Sequence, residues 1–345
     1  MSTLIIKRGA TGDVVRTTPL LRLLDAPISW VTAENNLPLL QGIDRAVRCV
    51  SWENRNRVAD ATYDLVINLE DDRETSAFLG ELRFKQLFGA HLNGDDQLTY
   101  TSDSRAWFDL SLISVHGLEK ADRLKLLNRR TYQDLIFDGL GLGFNGEPYY
   151  LPPPQPTGLQ GDVAISSTAG GVWPMKKWAY YDELKKELEA AGLKVNMLEG
   201  RPTLLEHLAD VQGHRCLVSG DSLPMHLALG SGVRCVSIFT CTSPWEIYGY
   251  GLQEKIVSPF LAKFFYARGY DARATTAIIV DEVFSAVMNQ LSAAPPAAKA
   301  MASEGKQPSQ QKFRRVIRDA ISPNSEAGAT AGQPRVTINA YSRAS

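Results

Sequence analysis

Three groups of residues have the types and spacing to do chemistry. The first is Lys7-Arg8-Gly9-Ala10-Thr11-Gly12-Asp13, a basic, glycine-containing loop that ends in a carboxylate able to take a proton. The second is the small, hydroxyl-rich run Ser166-Ser167-Thr168-Ala169-Gly170-Gly171, followed by Lys176-Lys177-Trp178. Diphosphates need that combination: backbone N–H groups and hydroxyls ligate phosphate oxygens at little steric cost, and a lysine offsets the charge of a departing diphosphate. The third is Gly220-Asp221-Ser222-Leu223-Pro224-Met225-His226, where Pro224 suits the first turn of a helix and sets Asp221 and Ser222 at its N-terminus. Each group also has a plainer reading. Asp13 and Asp221 could be ordinary helix caps, and His226 a hydrogen-bonded interior histidine.

The elements that must position these groups follow from the pattern. Leu4 to Ile6 form an apolar run before the first loop, and Val14, Leu20, Leu21 and Leu24 fall at roughly helical spacing after it, giving strand, loop and helix. Gly9 and Gly12 permit a tight turn, and Asp13 falls where open α/β sheets place their chemistry, beyond a strand's carboxyl end. Strand-like runs recur at Ile28 to Thr32, Val47 to Ser51 and Asp64 to Leu69. The simplest reading of Asn68 and Glu70 to Arg73 is a solvated loop; the other is a lining for a second substrate. From Leu87 to Tyr150 the chain is richer in aromatics and charge. There Arg129 and Arg130 sit on what reads as an amphipathic helix running toward Phe137, either as its wet face or as forks for phosphate or carboxylate.

Leu151 to Gly158, with four prolines, is the clearest internal boundary. Beyond it the alternation returns: strand Val163 to Ser166, helix Tyr181 to Ala191, strand Lys194 to Leu198, helix Thr203 to Val211, then strands Cys216 to Ser219 and Cys235 to Phe239 around a helix over Pro224 to Leu229. The expected organisation is an α/β domain over 1–150, a linker over 151–158, a second α/β domain over 159–292 and a disordered tail over 293–345. Within the tail, Lys312 to Arg318 reads as a flexible basic stretch able to form a transient helix on anionic lipid or a partner.

Composition narrows the class. A chain of 345 residues, 44% hydrophobic, can build two sizeable cores, and a net charge of -1 gives no global reason to expect nucleic acid. Cys49, Cys216, Cys235 and Cys241 lack C-x-x-C spacing, and neither the five histidines nor any acidic pair suggests a metal site. No leader pattern and no apolar run near the roughly 18 residues of a membrane span is evident, so the expected location is the cytoplasm, with at most peripheral contact at the inner face of the membrane.

Together the motifs resemble family 9 glycosyltransferases, the bacterial ADP-heptose:lipopolysaccharide heptosyltransferase group. The opening matches through K-R-x-G-A-x-G-D-V-V and T-T-P-L-L-R, the family's K-x-W-P appears as Lys176-Lys177-Trp178-Ala179, its D-[ST]-G-x-x-H as Asp221 to His226, and its F-G-P-T-S-P as Phe239 to Pro244. The resemblance spans roughly residues 3 to 292. It implies the GT-B architecture, two Rossmann-like domains with parallel sheets facing a central cleft, the acceptor held mainly by the first and the nucleotide sugar by the second. It further implies inverting transfer without a bound metal. Asp13 is then the base and Lys176 the stabiliser of the leaving diphosphate, with Ser167, Thr168, Asp221, Ser222 and His226 as further donor contacts. Lys7, Arg8, Thr11, Gly12, Arg129 and Arg130 become candidate acceptor contacts.

The implied donor is ADP-heptose and the implied acceptor a glycan or lipid-linked glycan, in the family the inner core of lipopolysaccharide. Leu223, Ala179 and Thr240-Cys241 depart from the family pattern around the donor pocket. Two alternatives therefore stay open: a GT-B transferase for another nucleotide sugar and a protein, natural-product or modified-base acceptor, and a non-catalytic sugar-nucleotide-binding module. A nicotinamide oxidoreductase would need a dinucleotide fingerprint after the first strand, which is missing.

Overall fold

In the computed structural model, which describes residues 1–168 and 170–293, the chain builds two α/β units. The first sheet contains β1 (Thr3–Ile6), β2 (Ile28–Thr32), β3 (Val47–Ser51), β4 (Thr62–Asn68), β5 (Arg83–Leu92) and β6 (Leu98–Tyr100), ordered β3-β2-β1-β4-β5-β6. All neighbours are parallel except β5 and β6. The second contains β7 (Gly161–Ser166), β8 (Val195–Met197), β9 (His214–Gly220), β10 (Arg234–Phe239) and β11 (Gln253–Val257), ordered β11-β10-β9-β7-β8 and wholly parallel. The helices are α1 (Thr11–Thr17), α2 (Leu37–Gln41), α3 (Arg73–Phe78), α4 (Arg105–Phe108), α5 (Leu118–Leu127), α6 (Tyr132–Gly139), α7 (Tyr181–Ala190), α8 (Leu204–Gln212), α9 (Leu223–Ser231), α10 (Leu261–Phe264), α11 (Ala272–Thr276) and α12 (Val280–Ser292).

Leu4, Ile5 and Ile6 are all fully buried because helices and loops cover both faces of the sheet, which is why β1 reads as a continuous apolar run. Each sheet reverses its strand order beside its first strand, between β1 and β4 and between β7 and β9. Crevices at the carboxyl ends of strands open at such switch points. The register sets those ends level: Ile6 lies opposite Val31 and Asn68, and Ser166 opposite Ser219.

The units share apolar contact. Val15 of α1 and Leu39 of α2 join the cluster built on Met225, Leu227 and Ala228 of α9, while Val14 faces the core of the first sheet. The proline-rich segment is packed as well. Leu151 lies where a Cβ on Gly230 would come within 2.6 Å, and Pro152 where one on Gly42 would come within 2.9 Å.

Some expectations need correction. The aromatic stretch after Leu87 begins inside a ten-residue strand, β5, whose exposed Arg83 and Lys85 hide its period. The edge strand β11, Gln-Glu-Lys-Ile-Val, is too polar at its start to read as a strand. Arg129 and Arg130 do not lie on a helix. Thr131 accepts from the Asp134 N–H and the Asp134 carboxylate accepts from the Thr131 N–H, a reciprocal cap that starts α6 at Tyr132 and leaves both arginines in the preceding connection. The tail from 294 onward, with Lys312 to Arg318, lies outside the described residues, as does Ala169.

Gly89 fixes the end of β5. Its φ is +120°, and a Cβ there would sit 1.8 Å from the Asn68 carbonyl oxygen across the sheet. Gly89→Ala should therefore cost about 3 kcal/mol or more in thermal or urea unfolding, whereas Gly80→Ala, with open space around it, should stay within about 0.5 kcal/mol.

Candidate active site

The first wall of the site is the loop after β1. Asp13, in the first turn of α1, receives an Arg16 guanidinium N–H at 2.8 Å and has the Lys7 ammonium at 3.8 Å. Lys7 in turn meets Glu70 at 2.9 Å, and the same Glu70 oxygen accepts from the Arg8 N–H at 2.7 Å and the Gly9 N–H at 3.4 Å. Glu70 thus holds the backbone of the loop. Its side chain is only 13% exposed and Asn68 is fully buried, so these two are not part of a solvated loop, whereas Asp71 and Arg73 beside them are exposed as the simplest sequence reading has them. The reason is that β4 delivers Asn68 and Glu70 level with the loop after β1.

Burial works against the charge of Asp13, but Arg16 and then Lys7 outweigh it and hold the carboxyl below the usual range. Burial likewise opposes the Lys7 ammonium, and Glu70 and Asp13 overcome it. Both groups stay ionised at neutral pH. Arg16 also lies 4.0 Å over the Tyr132 ring and 3.9 Å from Glu246, which the other sheet's side contributes.

The second wall is built from the ends of β7 and β9. The chain leaves β9 at Gly220, where a Cβ would come within 2.9 Å of the Lys176 carbonyl oxygen. That close approach lets Lys176 donate to the Asp221 carbonyl oxygen at 3.0 Å and pair with its carboxylate at 3.1 Å. Burial would raise the Asp221 pKa, but Lys176, then His226 and Arg16, bring it down to about 2. His226, one turn into α9, is 4% exposed and has its Nδ1 3.5 Å from the Tyr149 hydroxyl. Burial, helped by Arg16, pushes it down to about 4, so the ring is neutral.

The walls touch where α1 meets α9. A Cβ on Gly12 would lie 2.8 Å from His226 Cδ2. Between them a cleft of about 810 Å³ is lined by Lys7, Thr11, Gly12, Asp13, Lys176, Asp221, Ser222 and His226 together. A side pocket of about 430 Å³, lined by Thr168, Gly170, Glu199, His207 and Ser222, adjoins it through residues 170, 222 and 223.

Other predicted residues stand apart. Ser167 lines neither space. Arg8 turns to Glu74 at 3.2 Å and lies over Trp52 at 4.0 Å; Arg129 stacks on Trp245 at 3.6 Å; Arg130 bonds Asp138 at 3.2 Å. None of the three lines the cleft. Trp178 is a core residue whose Nε1 donates to the Ile278 carbonyl, and Cys241 is buried with its thiol pushed up by burial. Sequence reasoning missed Arg16, one helical turn after Asp13, and Glu246, two residues past the Phe239 to Pro244 motif. Spacing could have found the first, but only the fold reveals the second. Among the described residues no cluster of three or more His, Cys, Asp or Glu could hold a metal, and no helix is long and apolar enough to cross a membrane.

Two α/β units built on parallel strands meet at their strands' carboxyl ends, with Asp13 on one wall and the Lys176–Asp221 pair on the other, the arrangement of the GT-B architecture. Residues 172–263 match the family described as Glycosyltransferase family 9 (heptosyltransferase). Comparison with curated proteins finds no match. Among solved structures, a family 9 glycosyl transferase from Veillonella parvula has 14% identity and a TM-score of 0.55, covering 84% of this chain and 97% of its own. The heptosyltransferase WaaC of E. coli, solved with ADP, has 14% identity and a TM-score of 0.55 over 84% of this chain and all of its own. TibC of enterotoxigenic E. coli, an iron-containing dodecameric glycosyltransferase, has 11% identity and a TM-score of 0.52, covering 84% and 75%. At these identities the likeness is one of fold. The family match takes in Lys176 and Asp221 to His226.

The buried His226 gives a pH signature. The unfolded chain takes up its proton near the ordinary value of about 6.5 and the folded chain only near 4, so stability is lost as pH falls between those values. The Asp221 contribution is present above its ordinary value and is lost below it, down to about 2. From pH 7 to 4 the melting temperature of the wild type should fall more steeply than that of His226→Gln; parallel curves would contradict the neutral, buried ring.

Proposed function

We propose that this protein transfers a sugar, a heptose from ADP-heptose, to an acceptor hydroxyl with inversion at the anomeric carbon. The observation that carries the reading is that Asp13 and the Lys176–Asp221 pair share one cleft from opposite walls, each just past the carboxyl end of its sheet's strands. The acceptor oxygen attacks the anomeric carbon and a new C–O bond forms. The bond from that carbon to the phosphate oxygen breaks, the hydroxyl proton passes to Asp13, and the nucleoside diphosphate leaves with the bonding pair.

Asp13 is an acceptor for that proton because Arg16 and Lys7 keep it ionised. Its low basicity means that transfer waits until the attacking oxygen has become acidic in the transition state. Lys176 faces the departing diphosphate, with the hydroxyls of Ser222 and Thr168 beside it, and the nucleoside occupies the adjoining pocket. Asp221 fixes the Lys176 ammonium and is the candidate for sugar hydroxyls. The apolar contact between the units keeps water from the donor, which would otherwise be hydrolysed.

Support for the donor comes from WaaC, whose solved structures hold ADP and ADP-2-deoxy-2-fluoro heptose. The acceptor on this reading is a hydroxyl of a glycan or lipid-linked glycan. The work is cytoplasmic, with peripheral contact at the membrane's inner face.

Asp13→Asn should lower kcat for transfer by about 10²- to 10⁴-fold while leaving the Kd for ADP within twofold, measured by product formation and calorimetry. A variant with wild-type turnover would remove Asp13 from the role of base.

A further inference from the structure

We infer that the acceptor is a neutral molecule with an apolar body, an alkyl- or aryl-bearing alcohol or glycoside, and not a phosphate- or carboxylate-rich glycan. The inference rests on the transfer reading and concerns the acceptor side of the same cleft.

A polyanionic acceptor needs cations in excess of acids, and the first unit's side of the cleft has the reverse, Lys7, Arg16 and Lys125 against Asp13, Glu70, Asp71 and Asp122. Of the basic side chains lining the cleft, Lys7, Arg16, Lys125 and Lys176 each lie within 4 Å of an acid: Glu70, Asp13, Glu246 and Asp221. The fifth, Arg268, belongs to the second unit and stands 5.5 Å over the Trp173 ring. The arginines a sequence reader would assign to an anion, Arg8, Arg129 and Arg130, are engaged outside the cleft. Asp71 and Asp122 also line it, and neither forms an ion pair among the described residues. An incoming carboxylate or phosphate would add to that excess of negative charge, the Lys125 ammonium being already shared between its ion pair with Glu246 and the charge of Asp122.

The same cleft presents apolar surface. Leu112, in the connection into α5, and Leu118, the first residue of that helix, are 59% and 53% exposed, and Val172 lines the cleft from the second unit at 59%. Trp107 and Trp173 line the same cleft. Exposed leucine and valine in one cleft with two indole rings form a surface that gains by covering an apolar body.

The test compares matched probes on the full chain: octyl β-D-glucopyranoside below its micellar concentration, octyl β-D-glucuronide, which adds only a carboxylate, and glucose 6-phosphate, which has no alkyl chain. Binding is read by tryptophan fluorescence with and without saturating ADP. The glucoside should bind at least tenfold more tightly than the glucuronide, and glucose 6-phosphate most weakly. Leu118→Glu, an exposed position in the first turn of α5, should weaken the glucoside at least tenfold and leave ADP binding unchanged. Asp122→Asn should narrow the gap between glucoside and glucuronide. Equal or tighter binding of either anionic probe, binding of none of the three, or an unchanged affinity in Leu118→Glu would overturn the inference. Failure of ADP to bind would instead strike the transfer reading, and the probes alone would still decide the character of the wall.

Discussion

The close packing of α1 on α9 is the constraint on which the rest depends. A seven-residue helix serves both units at once: Val14 faces the core of the first sheet, Val15 joins the apolar cluster of the second, and Gly12 lies against the His226 ring. On the remaining face the same helix carries Asp13 and Arg16 into the cleft. A side chain at Gly12 would have to displace the His226 ring, which lines the same cleft as Asp13 and the Lys176–Asp221 pair. Catalytic geometry and interdomain packing are therefore one problem in this fold.

That contact brings charged groups out of water, and the site is arranged so that each has a partner. Lys7 bridges Glu70 and Asp13, Arg16 bridges Asp13 and Glu246, and Lys125 reaches Glu246 at 3.4 Å. Buried ion pairs add little net stability, but removing one member leaves an uncompensated charge, which is strongly destabilising. What the network provides is a fixed protonation pattern, with Asp13 and Asp221 ionised and His226 neutral at working pH. Arg16 and Glu246 belong to opposite walls, so their approach also ties the state of the base to the closeness of the two units.

Much of this was legible in the sequence where physics is local. The apolar run of β1 and the alternation of strand-like and helix-like segments announced a parallel sheet, and the proline and glycine punctuation placed Asp13 and Asp221 after strands. β5 and β11 carry charge that masks their period, and the arginines before α6 are set by a local capping exchange between Thr131 and Asp134. Glu70 is nearly covered because two strands end level, and Glu246 acquires meaning only when the second unit folds against α1. These last two are fixed by neighbours distant in the chain, which periodicity cannot report.

The central claim, that one cleft presents a diphosphate site on one wall and a base on the other, is tested most directly by calorimetric titration of ADP, UDP and GDP into the wild type, Lys176→Ala and Asp13→Asn. The account predicts that ADP binds the wild type, that Lys176→Ala weakens it at least tenfold, and that Asp13→Asn leaves it unchanged. Binding of UDP or GDP alone would keep the site and replace the donor. No binding by any of the three, or equal affinity in Lys176→Ala, would contradict the account.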